Sequence, residues 1–248
     1  MFKEIIYKKK EKEQKLYFIA QTIAKKTIEY AKEIIKPGLN LIELRKMCEN
    51  KMLELGADSF WYYGIGAFIF AGNETVKSVS GKEYIISDYI IKSDDIITID
   101  LSPQIKNIWG DYARTVIIQN GKVVDKINQI QNTEWKSGLL IEEKLHSELF
   151  NYATSNTTFE ELYYHMNEFI KKCGYLNLDF NGNLGHSIVK NKNHRIYIEN
   201  GNKKKIVVST IVENGKDIKL TIDSDLQKEL YEQYKDDKSC TVAMNQYT

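Results

Sequence analysis

Two kinds of hydrophobic pattern in one chain predict an α+β fold. Apolar residues at helical spacing occupy the beginning and the middle of the sequence. Between them lie short aromatic and β-branched runs broken by Gly, Asn, Ser and Asp. With 248 residues, 42% of them hydrophobic, the chain suits one or two domains with a substantial core.

The elements follow in order. Leu16, Ile19, Ala20, Ile23, Ala24 and Ile28 mark one face of a long helix over Lys10–Lys36, which Pro37-Gly38 ends. Asn40 caps a second helix, with Glu43 at the capping-box position and Gly56 at its close. Phe60–Phe70, Ile96–Leu101 and Ala113–Ile118 read as strands, and Asn120-Gly121 as a tight turn. A third helix is expected over Val124–Tyr152. Thr158 and Glu161 form a capping box before a fourth helix that runs to Cys173-Gly174. After Asp179 come a glycine-containing loop, a strand over Arg195–Glu199 and a turn at Asn200-Gly201. The clusters Lys8–Lys10 and Lys203–Lys205 read as solvated surface or, alternatively, as a polyanion site.

Composition narrows the function. Lys and Arg number 35 against 34 Asp and Glu, a net charge of +1, which argues against nucleic-acid and membrane-surface partners. No apolar run reaches the roughly eighteen residues of a membrane span. The charged opening MFKEIIYKKKEKEQKL lacks the apolar core of a signal peptide, so a cytoplasmic location is expected. Cys48, Cys173 and Cys240 are far apart, which disfavours a disulfide scaffold and a cysteine-built zinc site.

The chemistry concentrates in IITIDLSPQIKNIWGDYARTVII, residues 96–118. Asp100 ends an apolar strand, and Asp111 precedes the next. An acid at the end of a buried strand is costly unless a cation or hydrogen bonds satisfy it. Two readings are open on spacing alone. The acids lie on adjoining strands of a hairpin and point the same way, offering oxygens to one or two divalent metals. Alternatively, Asp111 caps a turn and Asp100 pairs with Arg114. His186, in Asn183-Leu184-Gly185-His186-Ser187-Ile188, is either a third ligand or a histidine hydrogen-bonded within its glycine loop.

Ile99-Asp100-Leu101, the eleven-residue step and Gly110-Asp111-Tyr112-Ala113-Arg114-Thr115 resemble the pita-bread metallopeptidases, that is, the methionine aminopeptidase, aminopeptidase P and prolidase type. So do Trp61 with Gly72-Asn73-Glu74-Thr75, the helix start Thr158–Tyr163 and the His186 segment. The resemblance covers about residues 10–206. It implies a pita-bread fold and a site in which two aspartates, a histidine and two glutamates hold one or two divalent ions of manganese, cobalt, zinc or iron. By position, Asp100 would be the bidentate aspartate, Asp111 the bridging one and His186 the histidine ligand. The implied activity is hydrolysis of the amino-terminal peptide bond of a peptide substrate, as in aminopeptidases and Xaa-Pro peptidases. The alternative is a catalytically inactive pita-bread protein that binds peptides or protein partners.

The chain also departs from that pattern. Tyr62 follows Trp61 where a histidine is usual, and His194 either takes a second histidine's place or is simply exposed. Thr210-Ile211-Val212-Glu213-Asn214 lacks the expected proline, which leaves Glu213 as the nearest candidate for a glutamate ligand. Asp223, Glu229 and Glu232 lie in other contexts. Residues 214–245 resemble the opening of a penicillin-binding protein's transpeptidase domain: a strand over Ile218–Ile222, a helix capped by Ser224 with Gln227, and a strand over Cys240–Met244. No Ser-x-x-Lys nucleophile accompanies them, so no acylation is expected. The expectation is a pita-bread domain over 1–206, incomplete at its carboxy-terminal end, joined to a tail of 207–248. A diverged native ending is the other reading.

Overall fold

The computed structural model describes residues 2–179, 182–204, 210–213 and 217–220. They belong to two units, Met1–Ser137 and Gly138–Thr248.

In the first unit, helix α1 (Phe2–Ile34) buries a stripe of Ala20, Ile23, Ala24, Ile28 and Ala31. Three alanines in that stripe let the helix axis approach its neighbours, α2 (Leu41–Glu54) and the strands beneath. Asn40 caps α2 by accepting a hydrogen bond from Ile42 N–H, and Leu41, Leu44, Cys48 and Met52 form its buried face. The run Phe60–Phe70 divides into β1 (Ser59–Phe60) and β2 (Ala67–Ala71). Between them the chain reverses through Tyr63 and Gly64, both at positive φ.

The principal sheet is antiparallel, in the order β2, β3 (Asp95–Leu101), β6 (Tyr112–Gln119), β7 (Lys122–Val124). Burial alternates strictly along β3. Ile97, Ile99 and Leu101 join the core shared with α1 and α2, while Thr98 and Asp100 occupy the other face. Asn120 and Gly121, both at positive φ, close the β6–β7 hairpin as expected of a mirror-image turn.

Asp100 and Asp111 are not joined by a simple hairpin. The intervening residues leave the sheet as β4 (Pro103–Ile105) and β5 (Ile108–Trp109), which pair with each other, β4 pairing also with β1. Their two-residue turn uses Lys106 and Asn107 at positive φ, and Lys106 N–H donates to the Asp58 carboxylate at 2.7 Å. The third helix is also shorter than expected. α3 spans Thr133–Tyr152 and is capped by Asn132, whose side-chain oxygen accepts from Glu134 and Trp135 N–H. Val123 and Val124 favour the hairpin over the helix.

The second unit takes most of α3, together with α4 (Phe159–Lys172). Thr158 Oγ1 accepts from Glu161 N–H at 3.0 Å, and Thr158 N–H donates to the Glu161 carboxylate at 2.7 Å, the full capping box. Arg195–Glu199 is not a strand. A single bridge pairs His186 with Tyr197, flanked by hydrogen bonds from Leu184 N–H to Ile198 O and from Ser187 N–H to Ile196 O. Asn202 keeps this segment irregular by turning its side chain onto Tyr197 O. β8 (Thr210–Glu213) pairs antiparallel with β9 (Asp217–Leu220). The expected helix after Ser224, the strand Cys240–Met244 and the acids Asp223, Glu229 and Glu232 lie outside the described residues.

Ile99 is fully buried, and Thr158 satisfies an exposed helix end. In urea unfolding of the full chain, Ile99→Ala is expected to cost about 2–5 kcal/mol and Thr158→Ala about 1 kcal/mol. Equal costs would contradict the assignment of the core to the β3 side.

Candidate metal centre

Strand register decides how the two aspartates meet. Asp100 pairs directly with Ala113 on β6 and with Phe68 on β2, so all three side chains share one face. Asp111 lies two residues before Ala113, and the period of two returns it to the same face. A side-chain hydrogen bond links the two carboxyls. Arg114 pairs with Ile99, which puts it on the opposite face from Asp100. The Asp100–Arg114 reading therefore fails on register.

Asp100 is half-buried as a residue. Burial nevertheless pushes its carboxyl up to about 6, against the hydrogen bond with Asp111, which works the other way. A desolvated carboxyl with a second carboxyl beside it is a donor set that a divalent cation satisfies well.

Asp111 itself stands outside the strand ladder and is held by α1. Gln21 Nε2 donates to Asp111 O at 2.7 Å, and Asp111 N–H donates to Gln21 Oε1 at 2.9 Å. Sequence reasoning missed Gln21. The available signal was a polar residue beside Ala20 in the apolar stripe.

Phe68, which shares the Asp100 face, sits in an aromatic cluster. Phe68 lies 4.6 Å from Tyr84 and 5.5 Å from Tyr62 between ring centroids, and Trp61 lies 3.9 Å from Trp109 with the rings tilted by 31°. The loop carrying Trp61 and Tyr62 is pinned at both ends. Trp61 N–H donates to Ser102 O at 3.1 Å, Ser102 N–H donates to Gly66 O at 2.9 Å, and the Ser102 hydroxyl donates to Ile65 O. The Glu49 carboxylate accepts from Gly66 N–H and from Arg45, each at 2.9 Å.

His186 belongs to the second unit. Its Nδ1 lies 3.3 Å from Ser187 O. A carbonyl oxygen only accepts, so Nδ1 carries the proton and the lone pair lies on Nε2, the tautomer a metal ligand needs. Burial pulls the imidazole below its usual range, opposed by that hydrogen bond, and Arg195 adds to the fall. His194 is exposed on a short 3-10 turn. Glu213 lies on β8 opposite Asp217. Among the described residues, neither unit by itself gathers three or more His, Cys, Asp and Glu side chains into a metal-holding group. The first unit brings Asp100 and Asp111 together, and the second orients His186. No helix among the described residues is long and apolar enough to cross a membrane.

A family model for metallopeptidase family M24 matches residues 15–215. Methionine aminopeptidase from Methanocaldococcus jannaschii is 31% identical over 101 residues, covering 41% of this chain and 32% of that protein. Among solved structures, the X-Pro aminopeptidase from Thermotoga maritima superposes with a TM-score of 0.60 at 20% identity, over 79% of this chain and 50% of that one. The prolidase from Pyrococcus furiosus gives a TM-score of 0.60 at 19% identity, over 79% and 53%. The chain thus spans about half the length of these solved structures and a third of the methionine aminopeptidase. The shared architecture is the pita-bread fold.

With chelator present, the raised Asp100 carboxyl makes the native state hold its proton more tightly than the unfolded chain does. Its contribution is fully present below pH 3.8 and is lost as the pH rises through about 6. Asp100→Asn removes that loss. Its stability relative to the parent is expected to grow by about 2 kcal/mol between pH 4 and pH 7. A pH-independent difference in urea titrations would contradict the buried pair.

Proposed function

The chain belongs to metallopeptidase family M24, and on that premise we propose that it is a divalent-metal-dependent peptidase that hydrolyses the amino-terminal peptide bond of short peptides. The observation that carries this reading is the pairing of Asp100 and Asp111 on one sheet face. Asp100, Asp111 and His186 would hold the cation, and manganese, cobalt, zinc and iron all suit two carboxylates and an imidazole. When bound, one or two such ions supply Lewis-acid polarisation of the scissile carbonyl and a water acidic enough to ionise near neutral pH.

The remaining chemistry belongs to the chain's own groups. The two carboxylates neutralise the cationic charge and fix its position on the sheet. Ser187 O holds the His186 ring in the tautomer that presents Nε2. Phe68, Tyr62 and Trp61 offer an apolar surface beside Asp100 that excludes water and accommodates a substrate side chain.

Turnover is expected to be slow. Glu213 is the nearest family-like acid in the carboxy-terminal part, and it lacks the proline expected after it. Residues 207–248 are proposed as a separate tail joined after Ile206. The ungapped likeness of residues 214–245 to a transpeptidase opening supports this. The family match itself continues nine residues beyond 206, to 215.

The test is release of the amino-terminal residue from a panel of short peptides, Met-Xaa and Xaa-Pro sequences included, with added Mn2+, Co2+, Zn2+ or Fe2+. Cation-dependent release is expected, with Asp111→Ala slower by on the order of a hundredfold. Equal rates for the two proteins would overturn the assignment.

A further inference from the structure

Asp111 precedes the β3–β6 ladder, which begins at Tyr112, and a side chain of α1 holds its peptide group. The Gln21 carboxamide gives one donor and one acceptor at a fixed spacing, and both are used on a single residue's C=O and N–H, at 2.7 and 2.9 Å. The residue is 6% exposed, so little water is at hand to substitute if the carboxamide is lost.

The strand side of this contact is equally specific. A Cβ on Gly110 would lie 2.7 Å from Gln21 Oε1 and 3.0 Å from Ala20 O. Only glycine lets the Gly110–Asp111 peptide lie flat on the helix. Gly110 N–H is in turn fixed by donation to Pro103 O at 2.9 Å. One turn of α1 therefore sets where Asp111 starts.

We propose that Gln21 is a positioning residue for Asp111: its clamp on the main chain sets the Asp111 carboxylate against Asp100 and so governs the affinity of the pair for a divalent cation. This rests on the metallopeptidase reading of the pair. It goes beyond that reading by assigning a residue on a different element, with no contact to the cation, to the strength of the site.

The experiment titrates Co2+ into the full, chelator-treated chain. Calorimetry reads affinity, the visible absorption of bound Co2+ reads coordination, and melting of the metal-free proteins reads folding. Gln21→Met keeps the side chain's length and removes both hydrogen bonds. Thr27→Val removes a buried hydroxyl elsewhere on α1, one that donates to Ile23 O, and serves as the control. Gln21→Met is expected to bind Co2+ about 10- to 100-fold more weakly with an altered spectrum, while Thr27→Val binds as the parent does. Should Gln21→Met fail to fold, Gly110→Ala opens the same contact from the strand side, with the same expected loss. A folded Gln21→Met, or in its place Gly110→Ala, with parental affinity and spectrum overturns the proposal and leaves the peptidase reading intact. So does equal weakening in Thr27→Val. A parent chain that binds no Co2+ removes both.

Discussion

The pairing register of β3 with β6 is the constraint on which the rest depends. Asp100 opposite Ala113 brings Asp111 to the same face, and a slip of one residue would turn Asp100 into the core. The register is held by hydrophobic burial. Ile97, Ile99 and Leu101 are fully buried on the side of α1 and α2, and each contributes about 1.5–3 kcal/mol only while it faces inward. The same alternation that stabilises the sheet places Asp100 on its reverse face. Structure and chemistry thus share one strand, divided by its two faces.

Placing two carboxyls side by side costs stability, and the chain meets that cost locally. α1 holds Asp111 by its backbone, and the aromatic rings around Phe68 lie on the Asp100 side of the sheet. In the second unit, His186 is presented on an irregular ribbon stabilised by Ser187, Ile196 and Ile198 rather than on a regular strand. A side chain on such a ribbon takes its orientation from particular hydrogen bonds, and for His186 the Ser187 carbonyl supplies one.

Much of this architecture was legible wherever a local rule has a strong physical basis. Asn40, Thr158 with Glu161, and Asn120-Gly121 each act where the sequence places them, because caps and mirror-image turns depend on a few neighbouring atoms. Spacing alone left both the aspartate pair and the Asp100–Arg114 pairing open, and it is the β3–β6 register that puts Arg114 on the opposite face from Asp100. Less legible was the β4–β5 excursion. Its turn uses Lys106-Asn107 instead of a glycine, with the Asp58 carboxylate satisfying Lys106 N–H from 48 residues away in sequence. The start of α3 was masked by Val123-Val124, which continue an apolar pattern compatible with either a strand or a helix. Gln21 was invisible because its partner is 90 residues distant, and no periodicity distinguishes a buried glutamine from a solvated one. Local chemistry was readable, and pairings across the chain were readable only where a repeating period carried them.

The most direct test of the central claim is an anomalous difference map at the manganese absorption edge, from crystals of the full chain grown with Mn2+. The expected result is density between the carboxylates of Asp100 and Asp111, with the His186 imidazole in the coordination sphere. Density elsewhere, or none at full manganese loading, would contradict the account.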